Sequence, residues 1–312
     1  MRLSRPFFHL PILFDVARLQ AEVVALPNEA WAPHPDGLPG NSAARLITAN
    51  GRETDAVHGQ MLPTRWLAAM PYLSQALAGF GVVWGRSRLM RLAPGASVPE
   101  HADINYHWHT RVRVHIPIFT WPEVRFHCDG EAVHMAAGEA WIFDNWRRHH
   151  VENGADGERI HLVADTTGTA AFWQFARTQT PPRSQWRTAV WDPNIDPRLL
   201  TESNQRTAMM PAAEVQLLIE DLCAELTAMK DTPDVRARAA RLRLLLESFI
   251  FDWRQLCALH GINGKAQPDF LRLANAVRNA AEPLADGLVM RTNGASALLV
   301  LEKRVLQHLV AE

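Results

Sequence analysis

Cysteine is scarce in this chain. Cys128, Cys223 and Cys257 are the only three among 312 residues, too few and too scattered for a disulfide framework or a zinc knuckle. That scarcity points to a reducing compartment, with each thiol acting as a small buried apolar group. Net charge is lacking as well: 32 Lys and Arg against 33 Asp and Glu leave a formal charge of -1, so no global field draws the protein toward nucleic acid or an anionic membrane. Long apolar runs are also missing. No stretch approaches the ~20 apolar residues of a membrane-spanning helix, and in MRLSRPFFHLPILFDVARL the charges of Asp15 and Arg18 interrupt the apolar run before a signal-peptide core can form. The chain shows no internal repeat and no low-complexity tract. The expectation is a cytoplasmic protein with neither nucleic acid nor membrane as partner, in which a charged ligand must be caught locally.

What is present is an ordinary globular composition, 47% hydrophobic and 21% charged, on a chain long enough for one large or two modest domains. Residues 1 to 80 look mixed, with helical patterns near 15 to 26 and 65 to 79 and a turn at His34-Pro35-Asp36-Gly37. From Val82 to Asp165 the pattern becomes short β-branched and apolar runs between Gly, Pro, Asn and Asp, among them RVRVHIPIFT, EVRFHCDGEAVHM, GEAWIFD and RIHLVAD. Strands at such regular spacing, without helices between them, predict an antiparallel sandwich or barrel. A connector rich in Thr, Gln, Pro and Arg covers about 176 to 212, and the remainder is helical. Val215, Leu218, Leu222, Leu226 and Met229 keep a helical spacing; Thr232 and Pro233 then cap and open a second helix that stops at Gly261. Two further helices fit near 268 to 282 and 295 to 311. The division expected is a β-barrel domain with N-terminal helices over 1 to 180 and a helical domain over 205 to 312. That helical domain is open to use as a lid, a homodimer interface or a platform for substrate.

Three polar groups in the β region carry chemistry. His101-Ala102-Asp103 places an imidazole and a carboxylate two residues apart, and His149 follows about four strands later. Two imidazoles and one carboxylate can occupy one face of an octahedral ferrous ion and leave three positions open. A 2-oxo acid takes two of those positions and leaves one for dioxygen. Arg159, ten residues after His149, offers the forked donor that the distal carboxylate of 2-oxoglutarate requires. On Arg111-Val112-Arg113-Val114-His115-Ile116 the odd positions are cationic or imidazole and the even ones aliphatic, so one strand face is polar and the other packs on the core. Arg159 to Asp165 partly repeats this alternation.

The run HADINYHWHTRVRVHIPI, with VHMAAGEAWIFDNWRRHHVEN and ERIHLVAD, resembles the aspartyl/asparaginyl β-hydroxylase family of Fe(II)/2-oxoglutarate-dependent dioxygenases, and is similar also to its bacterial proline cis-hydroxylases. The resemblance covers about residues 80 to 168. It implies a double-stranded β-helix of the jelly-roll or cupin kind with flanking helices, Fe(II) and 2-oxoglutarate as cofactor and co-substrate, O2 as oxidant, and an amino acid, peptide or protein as substrate. Matched by motif, the iron histidines fall on His101 and His149, the oxoglutarate arginine on Arg159, and a basic pair that contacts co-substrate carboxylates on Arg113 and His115. Asp103 stands where the vertebrate aspartyl enzymes lack an acidic ligand, which favours a full His-Asp-His set. About three extra residues around His107-Trp108-His109 would lie at the barrel mouth.

Blander readings stand beside these. His150 competes with His149, although on a strand it points the other way. His107, His109, His127, His134 and His161 read as surface or satisfied barrel histidines, Asn153 as a turn anchor or substrate contact, Gly138 as a tight-turn glycine, and Trp108 and Trp121 as core or substrate wall. Arg236, Arg238, Arg241 and Arg243 divide between two flanks of their helix and form no patch. Two other classes of function remain open: a non-catalytic barrel that docks a partner through its helical domain, and a cupin-like metal enzyme that does not use 2-oxoglutarate.

Overall fold

A computed structural model describes the chain except residues 35, 36, 178 to 181, 205, 206, 265 and 312. Pro35 and Asp36 of the expected turn, and parts of the expected connector, lie outside the described residues. The chain divides into two compact units, Met1–His101 with Thr110–Gln205, and Ala102–His109 with Arg206–Glu312. No helix among the described residues is long and apolar enough to cross a membrane.

The first unit is a double-stranded β-helix with flanking helices. The strands that frame its two facing sheets include β1 (Phe7–Leu10), β2 (Asn41–Ala49), β3 (Gly59–Pro63), β4 (Val83–Leu92), β5 (Ser97–His101), β6 (Val112–Phe119), β7 (Val124–Cys128), β8 (Glu131–Val133), β9 (Ala140–Phe143), β10 (His149–Asn153) and β11 (Arg159–Thr166). A major sheet runs β1-β9-β6-β11-β4-β2-β3, and a minor sheet runs β8-β7-β10-β5. The neighbours along both sheets pair antiparallel.

Strand alternation decides what each face does. Val112, Val114, Ile116 and Ile118 of β6, with Ile160, Leu162 and Ala164 of β11, join one buried cluster with Leu19 and Val23 of the helix α1 (Val16–Val24) and Leu73 and Leu77 of the helix α2 (Pro71–Ala78). This is the outer face of the major sheet, covered by helices. A smaller cluster joins Phe7, Leu92 and Phe143 of the major sheet to Phe126, Cys128 and Val151 of the minor one. Residues of the opposite parity on β6 and β11 therefore face the space between the sheets. The Cys128 thiol lies in that second cluster, where burial pushes its pKa up to about 12 and leaves it unreactive; Cys223 and Cys257 are half-buried. Gly138 has a φ of 77°, and a Cβ there would meet the Phe14 carbonyl at 2.8 Å, so the turn into β9 needs glycine.

The second unit holds α3 (Ala212–Glu225), α4 (Pro233–His260) and α5 (Gln267–Ala285). Thr232 caps α4 by accepting from the Val235 amide. The spacing predicted that Leu226 and Met229 continue α3, but the helix ends at Glu225. Leu226–Ala228 turns instead into a short strand, β12, paired with β13 (Leu288–Met290), and Met229 is exposed. The last predicted helix is a short α-helix (Ala297–Val300) followed by a π-helical turn (Leu301–Val305). Arg236 and Arg238 pair with Asp231, Asp234 and Asp286, and Arg243 donates to the carbonyls of Cys223 and Leu226.

The segment 102 to 109 folds with these helices. The Tyr106 amide donates to the Lys303 carbonyl at 3.2 Å, its hydroxyl donates to Glu214, and its ring stacks on His308. Arg304, buried at 2% exposure, donates to Asp221 at 2.9 Å and to the Ile104 carbonyl at 3.4 Å. His107 and Trp108 are buried here in a short helix, His107–Thr110. They are packed groups, whereas Trp121 on the β-rich unit is exposed.

Candidate metal and co-substrate site

β10 lies between β5 and β7, and its first residue, His149, is opposite both His101 and Cys128. The two imidazoles meet with ring centroids 4.3 Å apart. The tautomer of each follows from its backbone partner. His101 Nδ1 is 2.8 Å from the Pro99 carbonyl and His149 Nδ1 is 2.9 Å from the Arg147 carbonyl. Because a carbonyl only accepts, both Nδ1 atoms carry the proton, and Nε2 is left with the lone pair a metal needs. Asp103 is two residues beyond His101, so the chain itself keeps its carboxylate within reach. One ligand atom from each of His101, Asp103 and His149 lies within 4.8 Å of the others. Two imidazoles and a carboxylate fit Fe(II).

The turn that delivers His149 is organised by Asp144. Its carboxylate accepts from the amides of Leu3 and Trp146 and from Arg147 Nε, at 2.9, 3.0 and 3.1 Å. A register shift between His149 and Val151 places a bulge beside the imidazole pair. His150 projects to the opposite face of the minor sheet, stacked on His127. Asn153 ends β10 with its Nδ2 within 3.1 Å of the Leu92, Ala93 and Gly157 carbonyls, while its Oδ1 accepts from the Ala155 amide. Asn153 is therefore a turn anchor.

Arg159 and His161 project from one face of β11, and His115 comes from the paired strand β6. All three are buried, at 4%, 2% and 4% exposure. Arg159 Nη2 donates to His161 Nδ1 at 2.8 Å, which places the remaining proton of that ring on Nε2. Arg159 Nε, His161 Nε2 and both His115 nitrogens are buried without a hydrogen-bond partner among the described residues. Burial lowers the Arg159 pKa to about 9, and the guanidinium stays charged at neutral pH. Burial also holds His115 and His161 well below the usual imidazole value, helped by the Arg159 charge, so both are neutral. Unsatisfied buried donors of this kind cost stability unless an anion answers them. His115 meets Phe126, Phe143 and His161 edge-on, and Phe143 in turn meets His149 at 4.8 Å. The donor cluster and the imidazole pair are thus joined through one aromatic layer.

Arg113 Nε is 3.5 Å from Asp165 Oδ1, and Arg86 Nε is 3.7 Å from Asp165 Oδ2. Arg88, also buried, has its pKa lowered to about 9 by burial and then by the charges of Arg86 and Arg113. Arg111 is committed to Glu202 through two contacts of 2.8 and 2.9 Å. The sequence singled out Arg159, Arg113 and His115, took His161 for a surface or satisfied barrel histidine, and left Asp165, Arg86 and Arg88 without a role. Their signal was the alternation of GRSRLMRL and RIHLVAD, which puts each on the polar parity.

Residues 58 to 168 match the family profile described as Aspartyl/Asparaginyl beta-hydroxylase. Solved structures similar to the chain include a 2OG-Fe(II) oxygenase family oxidoreductase from Burkholderia pseudomallei, at 18% identity over 49% of this chain and 78% of that one, with a TM-score of 0.37. A prolyl-4-hydroxylase from Pseudomonas putida is 15% identical over 54% of this chain and 95% of that one, with a TM-score of 0.34. A cupin domain from Bordetella pertussis is 19% identical over 26% of this chain and 79% of that one, with a TM-score of 0.22. A search of curated proteins found no match.

Proposed function

We propose that the protein is a hydroxylase of an amino-acid unit, the Asp or Asn side chain of a peptide or a free amino acid. It would use Fe(II), 2-oxoglutarate and O2 and release succinate and CO2. The reaction balances as insertion of one oxygen atom into a substrate C–H bond and of the other into the succinate formed when 2-oxoglutarate loses CO2. His101, Asp103 and His149 would hold the metal, which when bound supplies the activation of O2.

The observation that carries this reading is the buried, unanswered donor set of Arg159, His161 and His115. Arg159 would take the distal carboxylate of 2-oxoglutarate, with His161 Nε2–H as a second donor and His115 facing the same chamber. A barrel that binds metal but no 2-oxo acid leaves this donor set without a ligand. Arg113, held by Asp165 beside Arg86 and Arg88, would steady a carboxylate of co-substrate or substrate. The aromatic layer of Phe126 and Phe143, buried between the two parts of the site, would limit water there.

The test is succinate release by protein reconstituted anaerobically with Fe(II) and 2-oxoglutarate, then given air, with amino acids and peptides screened by mass for a gain of one oxygen. Turnover that depends on 2-oxoglutarate is expected. An Arg159→Ala variant with undiminished turnover would overturn the assignment of the co-substrate.

A further inference from the structure

The outer face of the minor sheet carries a second set of metal-type side chains. β10 alternates, so while His149 points inward, His150 and Glu152 point outward, two residues apart on one face. β7 alternates in the same way, and His127 stands directly opposite His150 in the ladder. Three potential ligands from two paired strands are thereby brought together by the period of the sheet alone.

The donor separations approach those around a bound ion, and turning one of the two stacked rings about its side-chain torsions aims both lone pairs at a common point. The His127 and His150 rings stack with centroids 4.1 Å apart and planes 6° from parallel. Glu152 straddles them, with Oε2 3.7 Å from His127 Nε2 and Oε1 3.8 Å from His150 Nε2. Two ligand atoms bonded to one tetrahedral zinc, each about 2.1 Å from it, are separated by about 3.4 Å. The observed separations exceed that by a few tenths of an ångström, which side-chain rotation supplies. They are too long for hydrogen bonds, and His127 Nε2 is buried with no hydrogen-bond partner among the described residues. One ligand atom from each of the three residues lies within 4.8 Å of the others.

We propose that His127, His150 and Glu152 form a second divalent-metal site, distinct from the inward-facing His101–His149 pair. The donors are two imidazoles and one carboxylate, with solvent completing the shell, because the side chains are 29%, 29% and 58% exposed. Such a set prefers zinc, nickel or copper to ferrous iron by the ordinary order of divalent affinities. A metal bound here ties β7 to β10 directly behind His149. The site therefore stiffens the strand pair that presents an iron ligand and takes no part in the oxidation.

The experiment is equilibrium dialysis of the full chain at micromolar free Zn(II), with metal counted per chain, on the wild type and on His101→Ala, His127→Ala, His150→Ala and Glu152→Gln. The wild type is expected to hold two zinc ions, His101→Ala one, and His127→Ala and His150→Ala one each. Glu152→Gln is expected to weaken the second equivalent. Zn(II) should also raise the thermal midpoint of His101→Ala but not of a His101→Ala/His150→Ala double variant. Outward substitutions that leave the zinc count and this midpoint shift unchanged overturn the proposal. Retention of two ions by His101→Ala, with loss of one in His150→Ala, would instead count against the inner site alone.

Discussion

At the residue scale, the chemistry rests on which atom of each side chain is already committed. Both candidate iron histidines commit Nδ1 to a carbonyl two residues earlier in the chain, so each ring arrives with its tautomer set. Removing either imidazole should abolish stoichiometric Fe(II) binding, measured by anaerobic titration. Arg159→Lys keeps a charge but loses the fork. It is expected to raise the KM for 2-oxoglutarate by about tenfold or more, with a smaller change in kcat, since the lost contact is made equally in ground and transition states. A different residue governs stability in acid. His9 is stacked on Trp141 beside Glu139, and burial lowers its pKa to about 4 although the nearby carboxylate acts in the opposite direction. Below pH ~6.5 the unfolded chain takes up a proton there that the folded chain refuses until about pH 4. Stability should therefore fall as the pH is lowered through that window, and a His9→Gln variant should show a shallower decline in urea-unfolding free energy. These residue types and spacings were plain in the sequence. That Arg159 bonds to His161 on its own strand was not, because whether two same-face neighbours pair depends on what the facing strands offer.

At the scale of elements, the period of two along β6, β10 and β11 did most of the placing. It assigned Val112, Val114 and Ile116 to the helix-covered face and Arg113 and His115 to the chamber, and it separated His149 from His150. Periodicity was less informative where a helix ends. Leu226 and Met229 keep the spacing of α3, yet Leu226–Ala228 is drawn into a ladder with Leu288–Met290, a pairing some sixty residues distant in sequence that no local pattern announces. The end of β10 depends on Asn153, buried at 1% exposure and bound to three carbonyls and an amide. Asn153→Ala leaves those carbonyls without their donor and is expected to cost about 2 to 3 kcal/mol in chemical denaturation. The variant should bind 2-oxoglutarate more weakly only to the extent that it unfolds.

At the scale of the whole molecule, the division into units does not follow the chain. The segment 102 to 109, which begins one residue after His101 and contains Asp103, is built into the helical unit through Tyr106 and Arg304. The loop that contains Asp103 therefore takes its shape from helices a hundred or more residues later. Arg304→Ala removes the donor to Ile104 and one cationic partner of Asp221. It is expected to speed amide exchange over 102 to 109, read by mass spectrometry against the wild type. The sequence by itself determined the metal-type residues, the β-rich class and the inward parity of each strand, because these follow from side-chain chemistry and a local repeat. Tertiary structure alone decided that His101 and His149 meet, that His115 joins Arg159 and His161 in a buried chamber, and that the segment 102 to 109 folds with the helical unit. Each of those depends on pairings between segments far apart in the chain, and such pairings are selected by packing the whole molecule.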